Sequence, residues 1–175
     1  MKEGIVVWFT GLPASGKSTL ARRVRVRLLR RGRACALLDS DDVRRVLVPE
    51  PGYTPRGRAA FYRTLAGLAG LLAGQGLVVL VAATAHRRAY RRHAREVAPR
   101  FIEIFVDVPI QLCARRDPKG LYARARRGTA KFLPGTGVRF ERPTAPDVVA
   151  DGGRDAAAVE RILELLHVVT PRRGR

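Results

Sequence analysis

Eight residues, Gly11-Leu12-Pro13-Ala14-Ser15-Gly16-Lys17-Ser18, constrain this chain more than any others. They have the form G-x-x-x-x-G-K-S. An apolar run over residues 5–9 precedes them, and an apolar-periodic stretch over 20–29 follows. Strand, glycine loop and helix in that order make a phosphate-binding loop. Backbone N–H groups converge on an anion there, and the helix N-terminus adds its positive end. Gly11 and Gly16 permit the close approach, with Ala14, Ser15 and Thr19 completing the wall. Lys17 has the reach for the β- and γ-phosphates, and the Ser18 hydroxyl suits Mg²⁺. The bland alternative is a glycine-rich turn with a chance lysine, and the flanking elements weigh against it. The expected ligand is a nucleoside triphosphate.

At 175 residues with 46% hydrophobic content, the chain suits one α/β domain with a real core. No apolar run has the length of a bilayer span, and the N-terminus lacks a signal-peptide pattern. Cys35 and Cys113 lack ligand-like spacing and read as small core residues in a reducing compartment, so the expected location is the cytoplasm. The formal charge of +19 raises nucleic acid as a partner. Against it, the arginines spread through nearly every segment and aromatics are only 6% of the chain, too few for an interleaved stacking platform. Salt-sensitive, non-specific adhesion is the expected consequence.

In chain order, the spacing predicts a helix over 18–31 that stops at Gly32, then a buried parallel strand over 34–38 ending at Asp39-Ser40-Asp41-Asp42. Acidic residues at a strand's C-terminal end lie on the ligand side of a doubly wound sheet. One carboxylate could hold a water of a Mg²⁺ shell and another accept a proton from a hydroxyl. Alternatively, Asp41 or Asp42 caps a helix over 43–48. Residues 49–57, with three prolines and two glycines, read as a loop carrying Tyr53. A long apolar helix follows over 58–75, its Gly67 and Gly70 allowing close packing on the sheet. A central strand covers 77–81, and His86 beyond it reads as a solvated or capping histidine. A basic helix over 87–97, a strand over 101–106 and a short helix over 109–116 come next. Residues 117–142, dense in Gly, Arg and Lys, suit a mobile lid over phosphates. A strand over 147–149 and an amphipathic helix over 156–167 close the domain (1–170), and the basic tail 171–175 is expected to be disordered.

Taken together, these segments resemble the adenylylsulfate kinase family of the P-loop NTPases. The carriers are GLPASGKST at 11–19, LLDSDDVR at 37–44, the Gly52-Tyr53-Thr54 loop, GLVVL at 76–80, FIEIFVDVP at 101–109 and DPKGLYARAR at 117–126. The last is the most specific. The resemblance implies a single-domain P-loop kinase: a mostly parallel five-stranded sheet, helices on both faces, and a basic lid. It implies ATP and Mg²⁺ as cofactors and transfer of the γ-phosphoryl to the 3′-hydroxyl of adenosine 5′-phosphosulfate. Lys17 and Ser18 would hold phosphate and metal, and Asp39 would reach the metal through water. Asp41 would sit beside the acceptor hydroxyl. Arg44, Arg58, Tyr53, Phe61, Lys119, Leu121 and Phe132 would form the acceptor side, with Tyr122 near them in the lid and Arg126 toward ATP. Such kinases often form homodimers.

Departures gather on the acceptor side. Ser40 replaces the glycine of the family's Asp-Gly-Asp, and Tyr53-Thr54 replaces Phe-Ser. Gly57 and Phe61 stand for an aspartate and an asparagine, and Ala85 and Tyr90 fall in an altered Ser-Pro-Tyr-Arg region. Removing an amide from a hydrogen-bonding pocket relaxes discrimination. Two readings of the acceptor therefore stand: adenosine 5′-phosphosulfate, or another small hydroxyl compound. Two further classes are a nucleic-acid-directed protein and an NTP-binding regulator without an acceptor.

Overall fold

The computed structural model describes residues 4–169. Five strands, β1 (Ile5–Thr10), β2 (Cys35–Asp39), β3 (Val78–Ala82), β4 (Phe101–Val106) and β5 (Val148–Ala150), alternate with seven helices. These are α1 (Lys17–Arg30), α2 (Ser40–Val46), α3 (Pro55–Gly74), α4 (Arg88–Val97), α5 (Ile110–Arg116), α6 (Leu121–Arg126) and α7 (Ala156–Val169). The strands form one sheet in the order β2-β3-β1-β4-β5, and every neighbouring pair is parallel. The expected mostly parallel sheet is thus wholly parallel. The basic tail 171–175 lies outside the described residues.

The period-two alternation of β1 divides the interior. Ile5, Val7 and Phe9 face Leu20, Val24 and Leu28 of α1 and Ile162, Leu163 and Leu166 of α7. Val6 and Trp8 face Phe61, Leu65, Ala69 and Ala73 of α3 on the other side. A sheet buried on both faces needs nearly continuous apolar strands, which is what Ile5-Val6-Val7-Trp8-Phe9 and Val78-Val79-Leu80-Val81 supply. Each fully buried large side chain contributes roughly 1.5–3 kcal/mol of transfer free energy. Cys113 is buried and Cys35 half-buried, both as free thiols, and burial raises the pKa of each.

Several local expectations are corrected. Helix α2 begins at Ser40, and its N-cap is Asp39, whose carboxylate accepts from the Asp41 N–H at 3.1 Å. Asp41 and Asp42 therefore lie in the first turn and do not cap it. Helix α3 starts at Pro55, three residues earlier than expected, because Thr54 caps it by accepting from the Gly57 N–H and Pro55 fits the first turn. Gly70 packs against α4, where an added Cβ would lie 2.7 Å from the Val97 carbonyl, while Gly67 faces open space. Neither glycine serves helix–sheet packing.

Candidate active site

The sheet register brings the chemistry together. Phe9 pairs with Ala82, and Ala82 with Asp39, so the loop after β1 and the acidic end of β2 open on the same edge. The Thr10 hydroxyl donates to the Thr84 carbonyl at 2.7 Å and ties the ends of β1 and β3. In a doubly wound sheet this edge is where ligands bind. Here it bears a cleft of about 1330 Å³, more than the roughly 300–1,000 Å³ of a usual single-ligand site. Its volume accommodates two ligands.

The phosphate-loop end is tightly determined. Gly16, the N-cap of α1, has φ 102°, and Ala14 also takes a left-handed conformation at φ 62°. Lys17, Ser18 and Thr19 open α1, where first-turn N–H groups lack intrahelical acceptors. Lys17 is buried, and its amine donates to the Leu12 carbonyl at 2.7 Å. Burial lowers its pKa from 10.5 to about 8, against the pull of nearby Asp41 and Asp39. An added Cβ on Gly11 would meet the Val106 carbonyl at 2.5 Å and the Ser15 hydroxyl at 2.9 Å. That buried hydroxyl has no hydrogen-bond partner among the described residues. A cradle that only glycine backbone can line, with a lysine at its floor, fits a triphosphate.

The loop also rests on a segment that sequence reasoning missed. A Cβ on Gly16 would lie 2.5 Å from the Gly153 nitrogen, and one on Gly153 would lie 2.7 Å from the Gly16 carbonyl oxygen and 2.7 Å from the Thr19 Cβ. Asp151, Gly152, Gly153 and Arg154 line the cleft beside it. The signal was the Gly-Gly pair one residue beyond the last strand. Arg22, Tyr62, Thr84, Arg116 and Arg124 are further lining residues that sequence reasoning did not single out.

Between the two ends stand the acids. Asp39 is buried, with one oxygen on the Asp41 N–H and the other 3.9 Å from Arg22. Asp41 lies half in the open and is ion-paired with Lys119 of the lid. Among the described residues no cluster of three or more metal-ligating side chains exists. Mg²⁺ keeps several waters and takes few protein ligands beside substrate phosphates, so a hydroxyl and a carboxylate on the cleft wall fit it. Ser18 and Asp39 are the residues present for that role.

At the other end, Arg44 and Arg58 are both buried. Arg44 donates to the Pro51 carbonyl at 3.0 Å and the Gly52 carbonyl at 3.4 Å. Arg58 donates to the Tyr53 carbonyl at 3.0 Å and to the Phe132 carbonyl at 2.7 Å, joining this loop to the lid. Burial lowers the Arg58 pKa. Tyr53 and Phe132 are exposed aromatics on the cleft wall, and Lys119 and Leu121 also line it. Of the expected acceptor set, Phe61 alone is absent from the wall, being buried beneath Arg44. Arg126 is exposed on α6 outside the lining, whereas Arg116 and Arg124 are in it. The altered positions resolve similarly: Ala85 is buried and donates its N–H to the Tyr62 hydroxyl at 3.0 Å, and Tyr90 stacks on Tyr62 at 4.7 Å. Gly57 approaches the Gly52 carbonyl to 2.8 Å from where its Cβ would be. Ser40 lines the cleft.

The lid contains structure the sequence did not disclose. Asp117 accepts from the N–H groups of Tyr122 and Ala123 and so starts α6, and these bonds lower its pKa despite the opposing effect of burial. Tyr122 turns into the core and donates to the Pro13 carbonyl at 3.0 Å, anchoring the lid to the phosphate loop. The far end of the lid is held where the Glu141 carboxylate accepts from the Arg88 N–H at 2.7 Å, at the start of α4. His86 nearby is buried and neither solvated nor a cap. Its Nδ1 has no hydrogen-bond partner among the described residues, and burial lowers its pKa to about 4, reinforced by Arg58 and Arg87.

The family model for adenylylsulphate kinase matches residues 3–151. An adenylyl-sulfate kinase of Paraburkholderia xenovorans (strain LB400) is 43% identical over 171 residues, 96% of this chain and 94% of that protein. One of Enterobacter sp. (strain 638) is 42% identical over 167 residues, covering 94% and 83%. Among solved structures, the Mycobacterium tuberculosis APS kinase CysC in complex with AMPPNP and APS superposes with a TM-score of 0.88 at 38% identity, covering 95% of this chain and 99% of that one. With a matching glycine loop, acidic strand end and lid in one fold, the chain belongs to the adenylylsulfate kinase family.

Proposed function

We propose that this protein moves the γ-phosphoryl group of ATP to the 3′-hydroxyl of adenosine 5′-phosphosulfate. The observation that carries this reading is one continuous cleft with a phosphate loop at one end and two arginines with two exposed aromatics at the other. A carboxylate, Asp41, stands between them. Relatives named adenylyl-sulfate kinase, and a neighbour solved with AMPPNP and APS, support the choice of both substrates.

Lys17 and the first-turn amides of α1 hold the triphosphate. Ser18, and Asp39 through water, would hold Mg²⁺, which when bound neutralises phosphate oxygens. Asp41 orients the acceptor hydroxyl and takes its proton as the oxygen–phosphorus bond forms. The bond between the γ-phosphorus and the β–γ bridging oxygen breaks, and ADP leaves. Transfer of this kind depends on position and charge more than on covalent participation. Lys119, paired with Asp41, brings a cation to that point from the lid. Tyr53 and Phe132 offer flat faces for the acceptor base, and Arg44 and Arg58 supply positive charge near its phosphosulfate. Leu121 fills the lid's inner wall. Gly11, Ala14, Ser15, Gly16 and Thr19 shape the donor site, and Arg126 adds positive charge outside the cleft. No described helix is long and apolar enough to cross a membrane. The enzyme works in the cytoplasm, where thiols stay reduced.

The test is ADP release from MgATP with and without adenosine 5′-phosphosulfate, followed by mass analysis. Acceptor-stimulated release with a product one phosphoryl group heavier is expected. Unstimulated ADP release with nucleotide binding intact would overturn the choice of acceptor and direct the search to other small hydroxyl compounds.

A further inference from the structure

Arg44 presents a problem in electrostatics. It is 4% exposed, and among the described residues no carboxylate is placed as its ion-pair partner. A buried cation without a counter-charge is costly. What it has are two aromatic faces and two carbonyls. Its guanidinium carbon lies 3.6 Å from the centroid of the Phe61 ring and 4.6 Å from that of Tyr53, and it donates to the carbonyls of Pro51 and Gly52. Phe61 is 1% exposed, held on α3 with Tyr62 edge-on at 5.4 Å, whereas Tyr53 is 54% exposed. The order from core to solvent is a fixed ring, a buried cation and an exposed ring.

We propose that Phe61 is a positioning residue for the acceptor end of the cleft: its buried ring carries the Arg44 guanidinium, which in turn fixes residues 51–53 and the exposed face of Tyr53. The proposal rests on the acceptor assignment above for its kinetic consequence, but not for its structural one. The negative face of an aromatic ring attracts a cation most strongly where water is excluded. A leucine keeps the site apolar but is smaller and offers no such face. Without the ring, the guanidinium loses its seat and releases the Pro51 and Gly52 carbonyls. Arg44 also shares α2 with Asp41 at a spacing of three, on one side of that helix, so its seat steadies the proton acceptor as well.

Two variants that keep the site apolar, Phe61→Leu and Phe61→Met, test this together with Arg44→Lys and the double variant F61L/R44K. The Michaelis constant for adenosine 5′-phosphosulfate is expected to rise about tenfold in each, the loss of one desolvated cation–π contact, while that for ATP changes less than about twofold. The double variant is expected to be no worse than either single one, because both remove the same contact. The amide chemical shifts of Gly52 and Tyr53, whose preceding carbonyls Arg44 holds, are expected to move in F61L and F61M, with those of the phosphate loop unchanged. That readout needs no acceptor, so the two readings fail separately. Wild-type protein that ignores adenosine 5′-phosphosulfate removes the acceptor assignment alone. Wild-type shifts at Gly52 and Tyr53 in F61L and F61M, or multiplying kinetic effects in the double variant, removes the role of Phe61.

Discussion

A single methyl group at position 153 should reach the phosphate loop. In Gly153→Ala the new Cβ would lie 2.7 Å from the Gly16 carbonyl oxygen, 2.7 Å from the Thr19 Cβ and 3.1 Å from its Cγ2. The obstacles are backbone and a β-carbon, so no flexible side chain can swing away. The Gly16 carbonyl is itself committed, accepting from the Leu20 N–H at 2.9 Å as the first bond of α1. Overpacking of this kind costs about 1–3 kcal/mol. For a domain of this size that lowers the melting temperature by about 4–8 °C at the middle of that range. Relief by displacing the loop moves Lys17 and the first-turn amides off the triphosphate, and about 1.4 kcal/mol lost there weakens ATP tenfold. The assay is calorimetric titration with a non-hydrolysable ATP analogue beside thermal melts of the same samples. Gly67→Ala is the control: nothing lies within 4 Å of its Cβ, and it sits in a helix interior. It should leave nucleotide affinity unchanged and raise stability by about 0.4–1 kcal/mol. A Gly153→Ala protein that melts and binds like the wild type would refute the claim that the 152–153 turn buttresses the loop.

Lys17→Ala should abolish phosphoryl transfer while circular dichroism and melting report an intact fold; wild-type turnover would remove Lys17 from the site. Asp41→Asn should lose turnover by about 10²–10⁴, the range for a general base, with little change in nucleotide affinity; a pure affinity defect would make it a structural residue. The Lys17 amine, lowered to about 8 by burial, loses its charge as pH rises through that value in the free enzyme. Second-order turnover of ATP should therefore fall above about pH 8, while kcat at saturating ATP holds to higher pH because bound phosphates favour the charged form; identical profiles would contradict this. His86 has a folded pKa near 4 against 6.5 in the unfolded chain, so between these values only the unfolded chain is protonated. Its contribution is complete above pH 6.5 and is lost as pH falls toward 4, amounting to about 3 kcal/mol. Denaturant titrations across that window should show the loss, and His86→Phe should flatten it.

Much of this architecture was legible in the chain because it rests on local chemistry. Gly11, Gly16 and Lys17 are required by backbone geometry and phosphate charge whatever surrounds them. The apolar runs at 5–9 and 77–81 can only be strands of a sheet buried on both faces. A mostly parallel sheet follows from strands alternating with helices, and the fold makes every pair parallel. The basic, glycine-punctuated segment 117–142 was legible from composition, and DPKGLYARAR at 117–126 as its motif.

Other features depend on partners distant in sequence, and only the tertiary structure decided them. Asp39, not Asp41, caps α2, because the β2 strand runs one residue further and leaves its carboxylate at the first turn. Tyr122, expected in the lid near the acceptor, is instead a core anchor, its hydroxyl 3.0 Å from the carbonyl of Pro13, more than a hundred positions away. Phe61 has the composition of a pocket wall but lies under Arg44, since α3 turns that position inward. The contact between Gly16 and Gly153 joins segments on either side of the whole domain. A motif specifies what a backbone can do where it stands; which side chain faces a ligand and which faces the core is set by how separate elements pack, and packing is a property of the assembled fold.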